Sequence, residues 1–94
     1  MRDYELTILI KPELSEKDID KEIKSLTSIL EKAGAKILRK VDAAKKNLAY
    51  EVARFREAYY AYMELSLKPE DVSGVEQKLK LQDNIVRYLL VKKE

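Results

Sequence analysis

Lys45 to Leu67, KKNLAYEVARFREAYYAYMELSL, is the stretch in which chemistry-bearing side chains are densest. It holds Tyr50, Tyr59, Tyr60 and Tyr62, the single Phe55, and the cations Lys45, Lys46, Arg54 and Arg56. Cations interleaved with aromatics on strands suit nucleic acid, because cations neutralise phosphate and rings stack on bases. The same pattern also fits a half-buried hairpin with a solvated basic turn. Charge distribution favours a polyanion partner: seven bases against Asp42 and Glu51 lie between Lys36 and Arg56, although the net charge of the chain is only +2. From Glu13 to Lys32 acids outnumber bases, so the positive charge is gathered toward one end.

Other chemistries lack their residues. With no cysteine and no histidine there is no thiolate, no imidazole base and no usual zinc ligand set. The lack of cysteine fits a reducing compartment. The two glycines, Gly34 and Gly74, are too far apart to form a phosphate-cradling loop. Asp3, Glu5 and Glu64 are carboxylates that nothing in the sequence brings together for acid–base work. The expectation is a protein that is not an enzyme and that has no cofactor, no metal and no small-molecule substrate. No apolar run is long enough to span a membrane, and the first ten residues do not read as a signal peptide.

The elements that must carry these residues follow from periodicity. Tyr4, Leu6, Ile8 and Ile10 alternate with Asp3, Glu5, Thr7 and Leu9 and form a first strand, stopped by Pro12. Ser15 is an N-cap with Asp18 three residues on, and Ile19, Ile23, Leu26, Leu30 and Ala33 follow at helical spacing. Gly34 stands where a left-handed C-cap belongs, giving a helix over 16–33. Ala35, Ile37 and Val41 open a second strand, bulged around Asp42 to Ala44 and resumed by Leu48, Tyr50 and Val52. A turn is expected near Phe55 to Ala58. In the third strand Tyr59, Ala61, Met63, Leu65 and Leu67 form the core side, while Tyr60, Tyr62, Glu64 and Ser66 fall on the other.

Pro69 begins a second helix with Val72, Val75 and Leu79 as its apolar stripe. Gly74 inside it costs about 1 kcal/mol relative to alanine. After a turn at Gln82-Asp83-Asn84, Val86, Tyr88 and Leu90 alternate with Arg87, Leu89 and Val91 in a last strand. The order βαββαβ over residues 1–94 predicts one α+β domain of ferredoxin-like type, a four-stranded antiparallel sheet with two helices on one face. The expected core includes Leu6, Ile8, Leu26, Leu30, Met63, Leu65, Leu79 and Leu90, with Tyr4 and Tyr50 edging it.

The other sheet face is expected to be open. It carries Asp3, Glu5, Thr7 and Leu9, then Tyr60, Tyr62 and Glu64, then Arg87, Leu89 and Val91. Of these, Glu5, Leu9, Tyr60, Tyr62, Leu89 and Val91 are candidates for a protein partner's interface. Tyrosine anchors interfaces, and the Glu64 carboxylate beside the two rings repels phosphate. Arg2, Lys45, Lys46, Arg54, Arg56, Arg87, Lys92 and Lys93 are candidates for RNA phosphate contacts.

Two families with the same element order fit poorly. The acylphosphatase anion loop does not match KPELS after the first strand. The RNA-recognition motif is echoed only loosely by Arg56-Glu57-Ala58-Tyr59-Tyr60-Ala61-Tyr62, which lacks its glycine.

A closer likeness covers the whole chain. The opening Met1-Arg2-Asp3-Tyr4-Glu5, the Ala33-Gly34-Ala35 helix stop, Lys45-Lys46-Asn47-Leu48-Ala49-Tyr50, the Tyr59-to-Leu67 strand, Pro69-Glu70-Asp71-Val72 and Leu81-Gln82-Asp83-Asn84-Ile85-Val86-Arg87-Tyr88 together resemble the bacterial small-subunit ribosomal protein six family. That family commonly has proline where Glu51 stands and glycine where Ala58 stands. The resemblance implies a structural, RNA-binding component of the small ribosomal subunit, a ribonucleoprotein of translation in the cytoplasm. It further implies binding to the central domain of small-subunit ribosomal RNA together with ribosomal protein eighteen. Without the resemblance, a ferredoxin-like dimeric regulatory or ligand-binding module is the alternative.

Overall fold

The computed structural model describes residues 1–52 and 54–93. Its elements are β1 (Arg2–Ile10), α1 (Glu16–Lys32), β2 (Lys36–Val52), β3 (Phe55–Leu67), α2 (Val72–Lys80) and β4 (Ile85–Lys92), with a short 3-10 turn over Pro69–Asp71 leading into α2. All strand pairings are antiparallel and the sheet order is β2-β3-β1-β4. This is the ferredoxin-like βαββαβ arrangement expected from the sequence, with β1 and β3 at the centre.

Local chemistry sets the helix limits. The Ser15 Oγ accepts from the Asp18 backbone N–H at 3.2 Å, which satisfies one of the free donors at the start of α1. At the other end Gly34 takes φ +104. Its N–H bonds the Glu31 carbonyl at 3.1 Å, and the Ala35 N–H bonds the Leu30 carbonyl at 3.0 Å. This paired closure is the Schellman arrangement, whose left-handed position favours glycine because it carries no Cβ.

The core lies between the sheet and the helices. Leu6, Ile8 and Ile10 of β1 meet Met63, Leu65 and Leu67 of β3, Leu26 and Leu30 of α1, and Val75 and Leu79 of α2, all fully buried. Tyr4 is buried too, and Leu90 packs against this cluster while remaining partly exposed. Each large aliphatic chain so buried contributes about 1.5–3 kcal/mol relative to exposure.

Three expectations are corrected, all in or beside β2. The chain reverses between Val52 and Phe55, which are partners, with Arg54 in the left-handed region at φ 73. The turn therefore precedes the expected Phe55 to Ala58, and Ala58 is a fully buried strand residue. No glycine marks this turn, so its location had no sequence signal. Tyr50 is not at the core edge: it is 76 % exposed. The alternation Ala35, Ile37, Val41 expected to open β2 is broken by a register shift between Ile37 and Arg39. Val41 stands opposite Tyr62, on the face away from the helices, and is exposed.

Candidate partner and nucleic-acid interface

Three rows of side chains cross the face that the helices leave uncovered. The first is Arg39, Glu64, Glu5 and Val91; the second is Val41, Tyr62, Thr7 and Leu89; the third is Ala44, Tyr60, Leu9 and Arg87. All six expected interface residues, Glu5, Leu9, Tyr60, Tyr62, Leu89 and Val91, are thus on one surface. Leu89 is 60 % exposed and Val91 45 % exposed. The middle row is an apolar stripe across all four strands, interrupted only by the hydroxyls of Tyr62 and Thr7. Val41 and Arg39 belong to this surface but were missed, because the shift in β2 that brings them there leaves no trace in the residue pattern.

One end of the face is an ionic cluster. Glu5 and Glu64 are direct cross-strand partners, a pairing that places two negative charges side by side and is unfavourable alone. Two cations relieve it. The Lys93 Nζ donates to Glu64 Oε1, and the Arg39 guanidinium donates to Glu64 Oε2 at 3.3 Å. Lys93 is held in reach by its backbone N–H, which bonds the Asp3 carbonyl at 2.8 Å. Glu64 is the one charged residue that is buried among those described, at 8 % exposure.

The hydrogen bond from Lys93 holds the Glu64 carboxyl below the usual carboxylate range, against the opposing effect of burial. The same bond raises the Lys93 ammonium. Burial, and then a hydrogen bond with the Glu5 carboxylate, raise the Tyr62 phenol.

The eight candidate phosphate contacts divide into two groups at opposite ends of the sheet. Arg2 and Lys92 lie on the helix side at the end where β1 begins, with Lys93 across the sheet from them. Lys45, Lys46, Arg54 and Arg56 lie at the other end on the β2–β3 hairpin, with Arg87 on the open face of β4, the opposite edge strand. The nine residues of β1 separate the groups by roughly 26 Å at strand rise. Two of the eight are already engaged: Lys93 by Glu64, and Lys45 by Glu57 at 3.4 Å. Lys46 sits over the Tyr60 ring, 4.7 Å from its centroid, and so joins the arm to the open face. Lys45 lies on the other side, 5.8 Å from the Tyr59 ring centroid.

Beyond the Tyr59–Ile10 pair, β2 and β3 run on as a two-stranded arm. Its pairing is uneven. Between Asn47↔Glu57 and Val52↔Phe55, β2 advances five residues while β3 advances two, so Leu48 to Glu51 arch across from Arg56 alone. The arch encloses a concavity of about 300 Å³ lined by Leu48, Ala49, Tyr50, Glu51 and Arg56. Among the described residues no cluster of acidic side chains has the arrangement of a metal site, and no helix is long and apolar enough to cross a membrane.

Fold and surface together define a small ferredoxin-like protein with one uncovered sheet face and a basic arm at its edge. The profile of the family described as Ribosomal protein S6 matches residues 3–92. A small ribosomal subunit protein bS6 from Moorella thermoacetica is 32% identical over 94 residues, covering 100% of this chain and 96% of the relative. Its counterpart from Halalkalibacterium halodurans is also 32% identical, with 100% and 99% covered. The crystal structure of 30S ribosomal protein S6 from Thermotoga maritima superposes with a TM-score of 0.91 at 20% identity, over 98% of this chain and 87% of that one. The C-terminal domain of the MgtC protein from Mycobacterium tuberculosis shares the fold at a TM-score of 0.61 and 9% identity. The chain belongs to the ribosomal protein S6 family. It is therefore a protein of the small ribosomal subunit, a structural part of the ribonucleoprotein that performs translation.

Proposed function

We propose that the chain binds the central domain of small-subunit ribosomal RNA jointly with ribosomal protein eighteen. The uncovered sheet face carries this reading. Its middle row of Val41, Tyr62, Thr7 and Leu89 joins the adjoining Tyr60 and Leu9 in a largely apolar patch, with the Arg39–Glu64–Glu5 row on one side and Arg87 at the edge. An apolar stripe within a charged rim is the make-up of a protein interface rather than of a phosphate site. The arm gathers Lys46, Arg54 and Arg56 at the end of the sheet away from the Glu5–Glu64 cluster, whose two carboxylates are offset by Lys93 and Arg39. Partner docking on the face and RNA contact at the arm are thus spatially separate tasks of one sheet. The modest net charge of +2 fits weak RNA binding by the chain alone.

Binding of a structured fragment of the central domain, titrated with salt in the presence and absence of ribosomal protein eighteen, tests this. Tight, salt-dependent binding is expected only with the partner. Absence of binding at low salt with the partner present refutes the proposal. Replacing Tyr60 and Tyr62 by alanine is expected to weaken partner affinity at least tenfold, since interface tyrosines that anchor binding are worth roughly 2 kcal/mol or more. The circular-dichroism spectrum should stay native, because both rings lie outside the helix-side core.

A further inference from the structure

Tyr50 is the most exposed of the large hydrophobic side chains, and it is not on the partner face. It belongs to the arch of β2 that stands across from Arg56, where four residues oppose one. A bulge this wide disrupts the ladder and leaves backbone groups of the arch without cross-strand partners. In return it forms a concavity with four distinct chemistries side by side. Tyr50 offers an aromatic face, Leu48 and Ala49 an aliphatic lining, Glu51 a carboxylate that accepts hydrogen bonds, and Arg56 a guanidinium that donates them. The volume, about 300 Å³, is at the small end of ligand sites.

We propose that this concavity binds one unpaired nucleotide of RNA. Tyr50 stacks on the base, and Arg56, with Arg54 at the adjacent turn, takes the phosphate. Glu51 fixes the polarity of the bound nucleotide: its charge repels phosphate and its oxygens accept from base N–H groups. The base therefore lies toward the Tyr50–Glu51 wall and the backbone toward Arg56. A duplex does not present a free base face, so the site selects a bulge, loop or junction in which a base is splayed out. The inference rests on the arm being the RNA-contacting end of the molecule, and it adds a contact that charge alone does not supply.

The test is binding of the central-domain fragment to the complex of the full chain with ribosomal protein eighteen, for wild type, Tyr50→Ala, Tyr50→Phe and Arg56→Gln across a salt series. Tyr50→Ala is expected to lower affinity by about five- to 150-fold, the span of single base–aromatic stacks, with the salt slope unchanged because no counterion is released by a ring. Tyr50→Phe should bind within about twofold of wild type, since the stacking face is retained. Arg56→Gln should lower both affinity and the salt slope, the latter by about one.

Wild-type affinity for Tyr50→Ala, with the wild-type complex binding normally, overturns this inference and leaves the broader function standing. So does a loss that appears equally in binding to ribosomal protein eighteen without RNA, which would make Tyr50 a protein contact. Failure of the wild-type complex to bind overturns the broader function, and this site with it. Tyr50 is so exposed that its replacement leaves the fold intact, as circular dichroism of each variant will verify.

Discussion

Alanine substituted at the two glycines is expected to act with opposite signs. Gly74 lies in α2, is exposed, and has nothing within 4 Å of where a Cβ would stand. Alanine there removes unfolded-chain entropy without strain and stabilises the protein by about 0.4–1 kcal/mol. Gly34 sits at φ +104 after α1, and a Cβ there would lie 2.8 Å from Asp71 Oδ2. The Asp71 carboxylate is the end of a side chain and can turn aside, so the backbone sets most of the cost. An L-residue in left-handed conformation loses roughly 1–2 kcal/mol. If the backbone relaxes instead, the hydrogen bonds from Gly34 and Ala35 that close α1 are lost. The two variants should therefore differ by roughly 1.5–3 kcal/mol. For a domain of this size that is a gap of about 6 to 24 °C in Tm. Urea and thermal unfolding followed by circular dichroism measure it directly. Equal stability of the two variants, or a Gly34→Ala protein at least as stable as wild type, refutes the account of how α1 ends.

Two further outcomes follow from the core and from the ionic cluster. Leu30→Ala, at a fully buried position where α1 packs on the sheet, should cost about 2–5 kcal/mol in urea unfolding, the range for cavity-forming truncations. The Glu64–Lys93 contact contributes stability that is complete above the ordinary carboxylate value of 4.5 and is lost as pH falls through the lowered value of folded Glu64. At the alkaline end the contribution is lost as pH rises past 10.5 through the raised value of folded Lys93. The stability difference between wild type and Glu64→Gln should accordingly be largest at neutral pH and shrink at both extremes; a difference that does not vary with pH would contradict the pairing.

Much of the fold was legible because β1 and β3 keep an unbroken period of two, β4 keeps it from Arg87 onward, and α1 carries both of its stop signals. In β1 the even residues are buried from Tyr4 to Ile10, as alternation requires. The open face and its six interface candidates follow from the same parity. For α1, Ser15 and Gly34 are recognisable because the groups they satisfy are local, within one turn of each helix end. Membership of the family was likewise readable from linear segments.

What the tertiary structure decided is concentrated in β2. This strand is polar on both faces over much of its length, and such a strand has a register that hydrophobic pattern specifies only weakly. Its partner β3 fixes the register instead, and each shift along the pairing exchanges the faces. That is why Val41 and Arg39 join the open surface and why four arm residues arch across from Arg56. The charge cluster has a similar origin: Glu5, Arg39, Glu64 and Lys93 are distant in sequence, and only strand pairing makes neighbours of them. The sequence by itself determined the elements, the helix ends and which face of β1, β3 and β4 is apolar, because those depend on neighbours a few residues away. The positions of Tyr50, Arg54 and Arg56 on a basic arm, and the separation of that arm from the uncovered sheet face, depend on pairing across the sheet, which no local pattern encodes.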